Sequence, residues 1–335
     1  MIYSIVYVLI SNVNDLYFEQ ALISIYSLKL KNPSAKVILL CDKDTQESLN
    51  INNRNEILKY LTEIKGISIP KDLTQKQKSR WLKTSMRKYI KGNFLFIDCD
   101  TIITDKLEDN IEVPSCISAV YDSHTTLYEN AFRKDLIKRG LKININLEHE
   151  KEYFNSGVLY VKDTPEAYSF FELWHKNWIE GLSKGVDFDQ PTLAKTNIQM
   201  NHIITKLNDC YNCQIYNGAA FLSNAKVIHY FGGSAKKNNP YAFTNNQYLL
   251  DIKKNGLTPN SITYKYIIHP KQAFIEPTII IGKEDFTLLC TPLFYINRNI
   301  IKECPKAEFF LRIISIIIYL SLIHISEPTR HSLIS

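Results

Sequence analysis

The sequence predicts an α/β protein with a mostly parallel sheet, on three observations. An apolar run, Phe94 to Ile97, ends abruptly in two carboxylates, Asp98 and Asp100. The chain opens with a strand-helix-strand alternation between Ile2 and Cys41. Short apolar runs recur at Ile117 to Tyr121 and Lys226 to Tyr230, and a polar or charged residue follows or closes each. Unbroken β-forming residues suit strands buried on both faces. The carboxyl ends of such strands are where open α/β sheets bind ligands.

Composition agrees with that class. A chain of 335 residues, 45% hydrophobic, can bury a large core, either one domain with an appendage or two domains. The net charge of +6 is spread out, which excludes nucleic acid as the first reading and suits an anionic donor or an anionic membrane face. Seven cysteines at irregular spacing, with no leader pattern in Met1 to Ile10, predict free thiols and a cytoplasmic setting. Leu320 to Arg330, LSLIHISEPTR, resembles a translated sequencing-library adapter, so residues 320 to 335 are set aside from the fold.

The elements follow in order. Ile2 to Ile10 reads as the first strand, and Phe18, Ala21, Leu22, Ile25 and Leu28 mark one apolar helix face that stops at Asn32-Pro33. Lys36 to Cys41 completes a β-α-β unit whose strand ends share one rim. The first loop offers Asn12 and Tyr17 as nucleoside contacts or as ordinary turn residues. Between Leu73 and Ile90 helical spacing gathers Arg80, Lys83 and Arg87 on one side, either a solvated basic face or a stripe bordering a diphosphate.

Asp98 and Asp100 follow directly. Acids at i, i+2 can surround one hard divalent cation, the usual partner of a diphosphate, although strands also end in Asp for turn reasons. Asp122 closes the next strand and can reach the same rim. An irregular excursion from Asn130 to Glu152 leads to Tyr153 to Val161, where Asn155 and Gly157 are expected to form a close-approach turn before a strand. Phe170, Trp174 and Trp178 read as core of a following helix. Asp189 and Gln190 stand at the start of another, where Asp189 serves as a cap or as a site carboxylate. His229, followed by Gly232 and by Lys236 and Lys237, can offer an imidazole to a metal and amides plus an ammonium to phosphates. The Cys210 and Cys213 pair lacks a zinc-ribbon partner and reads as incidental.

As a set, Arg80, Asp98-Cys99-Asp100, Asn155-Ser156-Gly157, Asp189-Gln190 and His229 with Gly232 and Lys236 resemble the family 8 glycosyltransferases over residues 1 to 240. The resemblance implies a GT-A fold, with a Rossmann-like, mostly parallel sheet, and a retaining transfer of hexose from a UDP-sugar to a glycan or lipid-linked saccharide in bacterial polysaccharide assembly. It implies Asp98, Asp100 and His229 as ligands for Mn²⁺ or Mg²⁺, with Arg80, Asp122, Asn155 and Lys236 around the donor, where the residues' own pattern also places Asn12, Lys83, Gly157 and Gly232. It places Gln190, with Asp189 beside it, beneath the anomeric carbon. The alternatives are a sugar-1-phosphate nucleotidyltransferase and a degenerate sugar-nucleotide-binding module. The former lacks its glycine-rich loop after the first strand. Residues 241 to 319 read as a small accessory region, and Ala307 to Tyr319 as either a helix docking on the inner membrane face or a plain core helix.

Overall fold

In the computed structural model, which describes residues 1–215, 219–230 and 246–271, the opening unit is β1 (Ser4–Leu9), α1 (Tyr17–Lys31) and β2 (Val37–Asp42). The described residues fall within one compact unit, Met1–Ile280. Phe18, Ala21, Leu22, Ile25 and Leu28 are all buried, as their helical spacing predicts. Asp42 ends β2 and caps α2 (Lys43–Ser48) by accepting from the Thr45 amide. A polar strand, β3 (Glu63–Ile67), adds the edge beside β2.

The basic helix α3 (Gln75–Ser85) starts where Thr74 and Gln77 form a reciprocal capping box, a device worth about 1 kcal/mol. It is shorter than the periodicity suggested: a 3₁₀ turn, Met86–Lys88, follows it and carries Arg87. Next come β4 (Phe94–Ile97), β5 (Thr101–Ile103), β6 (Ile117–Tyr121), α4 (Arg133–Lys142) and β7 (Phe154–Val161). The chain continues through α5 (Pro165–Ser183), α6 (Asp189–Gln199), β8 (Ile204–Lys206), β9 (Cys213–Gln214) and β10 (Val227–His229).

Seven strands form one sheet in the order β3-β2-β1-β4-β7-β6-β8. Pairing is parallel everywhere except on the two sides of β7, so the sheet is mixed but mostly parallel. Phe94 and Phe96 pack with α3, α5 and α6 residues such as Leu82, Phe170, Trp174 and Leu193, while Leu95 and Ile97 are buried as well. Burial on both sides is what the polar-free sequence of β4 demanded. On the side of α1, the Tyr7 hydroxyl meets Ser24 Oγ at 3.0 Å.

The direction of β7 decides the site. Because it runs antiparallel to β4 and β6, its first residues lie at the rim where β4 and β6 end. Asn155 and Gly157 therefore sit inside a strand, not in a turn before one as expected from their residue types. A second, three-stranded sheet, β5-β10-β9, pairs His229 with Thr101 and so delivers the histidine beside Asp100.

Two further helices, α7 (Asn246–Asn255) and α8 (Ile262–Ile268), lie against α1. Lys253 Nζ donates to the carbonyls of Val13 and Asp15 at 2.7 and 2.9 Å, tying α7 to the loop after β1. Among the described residues no helix is long and apolar enough to cross a membrane. Gly232, Lys236, the Ala307 to Tyr319 segment and the adapter-like end lie outside the described residues.

Candidate active site

Asp98 and Asp100 leave the end of β4 on the same side, and Cys99 between them turns away to donate to the Val8 carbonyl. Asp98 is fixed from behind, its amide donating to the Gly157 carbonyl at 2.8 Å. His229 is almost fully buried, and its Nε2 lies 3.2 Å from Asp100 Oδ1. One ligand atom from each of Asp98, Asp100 and His229 falls within 4.8 Å of the others. Two carboxylates and an imidazole are a donor set suited to a divalent cation, so the residues fit the group that the resemblance implied.

The basic helix supplies the counter-charge. Lys83 Nζ, buried, contacts Asp98 Oδ1 and Oδ2 at 3.1 and 3.0 Å, Asp189 Oδ2 at 3.0 Å and Ser156 Oγ at 3.3 Å. Arg80 Nε lies 2.9 Å from Asp189 Oδ1, off the line of a hydrogen bond. One turn earlier, Lys76 pairs with Asp187 at 2.9 Å. Residues 76, 80 and 83 form one stripe of α3, and that stripe faces the segment leading into α6. Arg87 departs from it. It is fully buried elsewhere, bound to Asp163, to the Gly92 carbonyl at 2.7 Å and to the Tyr168 hydroxyl at 3.0 Å.

These contacts set two carboxylates apart. Burial pushes the Asp98 carboxyl up, Lys83 opposes this and the neighbouring Asp100 adds to it. Burial would also raise Asp189, but Arg80 and Lys83, with hydrogen bonds from Lys83 and Ser156, hold it well below the usual carboxylate range. Asp189 is not a helix cap: the N-cap of α6 is Phe188, without a side-chain cap bond. Its backbone is fixed by the core tryptophans, since Trp174 Nε1 donates to the Asp189 carbonyl and Trp178 Nε1 to that of Asp187.

Beside this charged half lies a half made of amides. Asn155 Nδ2 donates to Asp122 Oδ1 at 3.2 Å and to Gln190 Oε1 at 3.3 Å. Asp122 Oδ2 also accepts from Asn130 at 3.1 Å. These bonds bring Asn155, Asp122 and Gln190 together. Gly157 is required for closeness, though to a side chain: a Cβ there would stand 2.3 Å from His229 Cε1. Asn12 is exposed, its side-chain oxygen accepting from the Asn14 amide at 2.8 Å within its own loop. Sequence reasoning missed Asn130 and Asn212, which carry no motif of their own, and quoted Ser156 within a motif without giving it a role. Asn212 lies between Cys210 and Cys213, the two cysteines of the incidental pair.

Comparison with known proteins decides the family. The model of the family described as glycosyl transferase family 8 matches residues 8–237. The chain belongs to that family. No curated protein sequence matches it. Among solved structures it is similar to mouse xyloside xylosyltransferase 1 in its apo form, at 12% identity over 69% of this chain and 98% of that one, with a TM-score of 0.47. It is also similar to galactosyltransferase LgtC in complex with donor and acceptor sugar analogues, at 15% identity over 84% and 98%, with a TM-score of 0.47. The glycosyltransferase GlyE of Streptococcus pneumoniae TIGR4 matches at 16% identity over 84% of this chain and 66% of that one, with a TM-score of 0.49. Family 8 membership makes the chain a glycosyltransferase and sets the nucleotidyltransferase alternative aside.

Proposed function

We propose that this glycosyltransferase moves a hexose from a UDP-sugar to a glycan or lipid-linked saccharide, with retention and with a divalent cation, Mn²⁺ or Mg²⁺, at Asp98, Asp100 and His229. The observation that carries the reading is the convergence of those three side chains within 4.8 Å beside the cations of α3. A bound divalent cation supplies Lewis-acid stabilisation of the departing diphosphate. Arg80, paired with Asp189, adds charge at the same place, and Lys83 neutralises the acids behind it.

The amide half positions the sugar. Asp122 and Gln190 offer an anionic and a neutral oxygen for hexose hydroxyls, and Asn155 holds the two together by donating to both. Both Asp189 oxygens are engaged by cations or by Ser156, which blunts the carboxylate as a nucleophile. This favours front-face attack, in which the acceptor hydroxyl oxygen bonds to the anomeric carbon on the side where the bond to the phosphate oxygen breaks, beside Gln190, and the hydroxyl proton passes to that departing phosphate oxygen. We place the enzyme in bacterial surface polysaccharide assembly, in the cytoplasm or peripherally on the inner membrane face, with residues 1–240 as the catalytic domain and 241–319 as an accessory region.

Calorimetric titration of UDP into the full chain, with and without Mn²⁺, tests the site. Binding is expected to depend on Mn²⁺ and to vanish in the Asp98→Asn/Asp100→Asn double variant. Metal-independent binding that survives in a folded double variant would overturn the assignment.

A further inference from the structure

Backbone amides can only donate, and one of them sets the polarity of a chain of buried side chains at this site. The Gly157 N–H donates to Asn155 at 2.9 Å, so the Asn155 atom facing it is the oxygen. That same Oδ1 lies 2.9 Å from Asn212, so Asn212 presents its NH₂ there and turns its oxygen the other way. Asn212 Oδ1 is 3.0 Å from His229 Nδ1, so Nδ1 carries a hydrogen and Nε2 points at Asp100. In the opposite direction Asn155 Nδ2, fixed by the same orientation, donates to Asp122 and Gln190. Asn155 and Asn212 are 4% and 0% exposed, so water does not compete for these bonds.

We propose that Asn155 and Asn212 form a directional hydrogen-bond relay, in which Asn212 is the positioning residue that aims His229 Nε2 at the acid pair and Asn155 links that histidine to Gln190. The link runs through neutral groups, between the metal half and the sugar half of the site. It rests on the metal reading given above for His229. The partner of a ligating imidazole's other nitrogen fixes its tautomer and orientation, and its loss weakens metal affinity by about 10–100-fold.

Two asparagines allow the two directions to be cut separately. Asn212→Leu removes the acceptor for Nδ1. Asn155→Asp still accepts from Gly157 and Asn212 but no longer donates to Asp122 and Gln190. With UDP saturating, Mn²⁺ affinity measured by electron paramagnetic resonance is expected to fall about 10–100-fold in Asn212→Leu. In Asn155→Asp it is expected to stay within a few-fold of the unmodified protein while kcat falls. Ring ¹⁵N–¹H correlations of the unmodified, metal-free protein are expected to show hydrogen on His229 Nδ1.

A ring with Nδ1 bare, an Asn212→Leu variant with unchanged Mn²⁺ affinity, or an Asn155→Asp variant that loses Mn²⁺ as severely as Asn212→Leu would each overturn the relay. His229→Ala separates the two readings. If its Mn²⁺ affinity is unchanged, the metal assignment fails, and the ring spectrum of the unmodified protein alone decides the relay.

Discussion

Lys83 and Arg87 are both buried cations, four residues apart on one predicted stripe, and they serve opposite ends of the molecule. Lys83 is held by Asp98 and Asp189, acids of the candidate site. Arg87 is held by Asp163, a backbone carbonyl and a tyrosine hydroxyl, none of which belongs to that site. The 3₁₀ turn after α3 separates them, because it breaks the 100° progression that would keep both on one face. Burial of a cation is therefore not a sign of function by itself. What distinguishes Lys83 is that its partners, Asp98 and Asp189, are acids of the candidate site.

The sharpest way to break this comparison is Lys83→Met. It leaves Asp98 and Asp189 without their shared ammonium, and turnover is expected to fall about 10²–10³-fold, the scale of losing one preorganised charge-stabilising group. Steady-state rates on a folded variant check it, and normal turnover would make Lys83 as structural as Arg87. Arg87→Met is expected to do the reverse. Stability should drop by roughly 2–3 kcal/mol through lost charged hydrogen bonds, with UDP affinity unchanged. Urea denaturation and calorimetry on the same sample measure both, and a loss of UDP affinity without a loss of stability would return Arg87 to the site.

A smaller effect comes from pH, on the side of α3 that faces α5. His175 meets Thr84 at 2.8 Å, and burial pulls its pKa down to about 4, with the Lys88 charge adding to this. The unfolded ring takes a proton near 6.5 and the native one does not until about 4, so this contribution to stability is complete above pH 6.5. It is lost progressively as pH falls towards 4, by up to about 2 kcal/mol after allowance for partial exposure. Asp189, whose pKa is depressed, contributes stability above the unfolded carboxylate range that fades only at lower pH. Urea midpoints between pH 7 and 4 are expected to decline in the unmodified protein and to flatten in His175→Gln. An equal slope in both would remove His175 from the account.

The sequence by itself determined the apolar strands, the helix faces and the acids that end β4, because these depend on residues within a few positions of one another. Phe94–Ile97 and Ile117–Tyr121 form strands over the residues their patterns marked. The same locality made Asp98 and Asp100 legible as a pair, whereas His229, far along the chain, joined them only through the resemblance to a known family. Only the tertiary structure decided that β7 runs against its neighbours and so brings Asn155 to the rim where Asp98 ends. It alone paired Lys83 with two acids, sent Arg87 to Asp163, and set Asn212 behind His229. Those partners lie 15 to 106 positions apart in the chain, and strand direction and register, not local composition, choose among them.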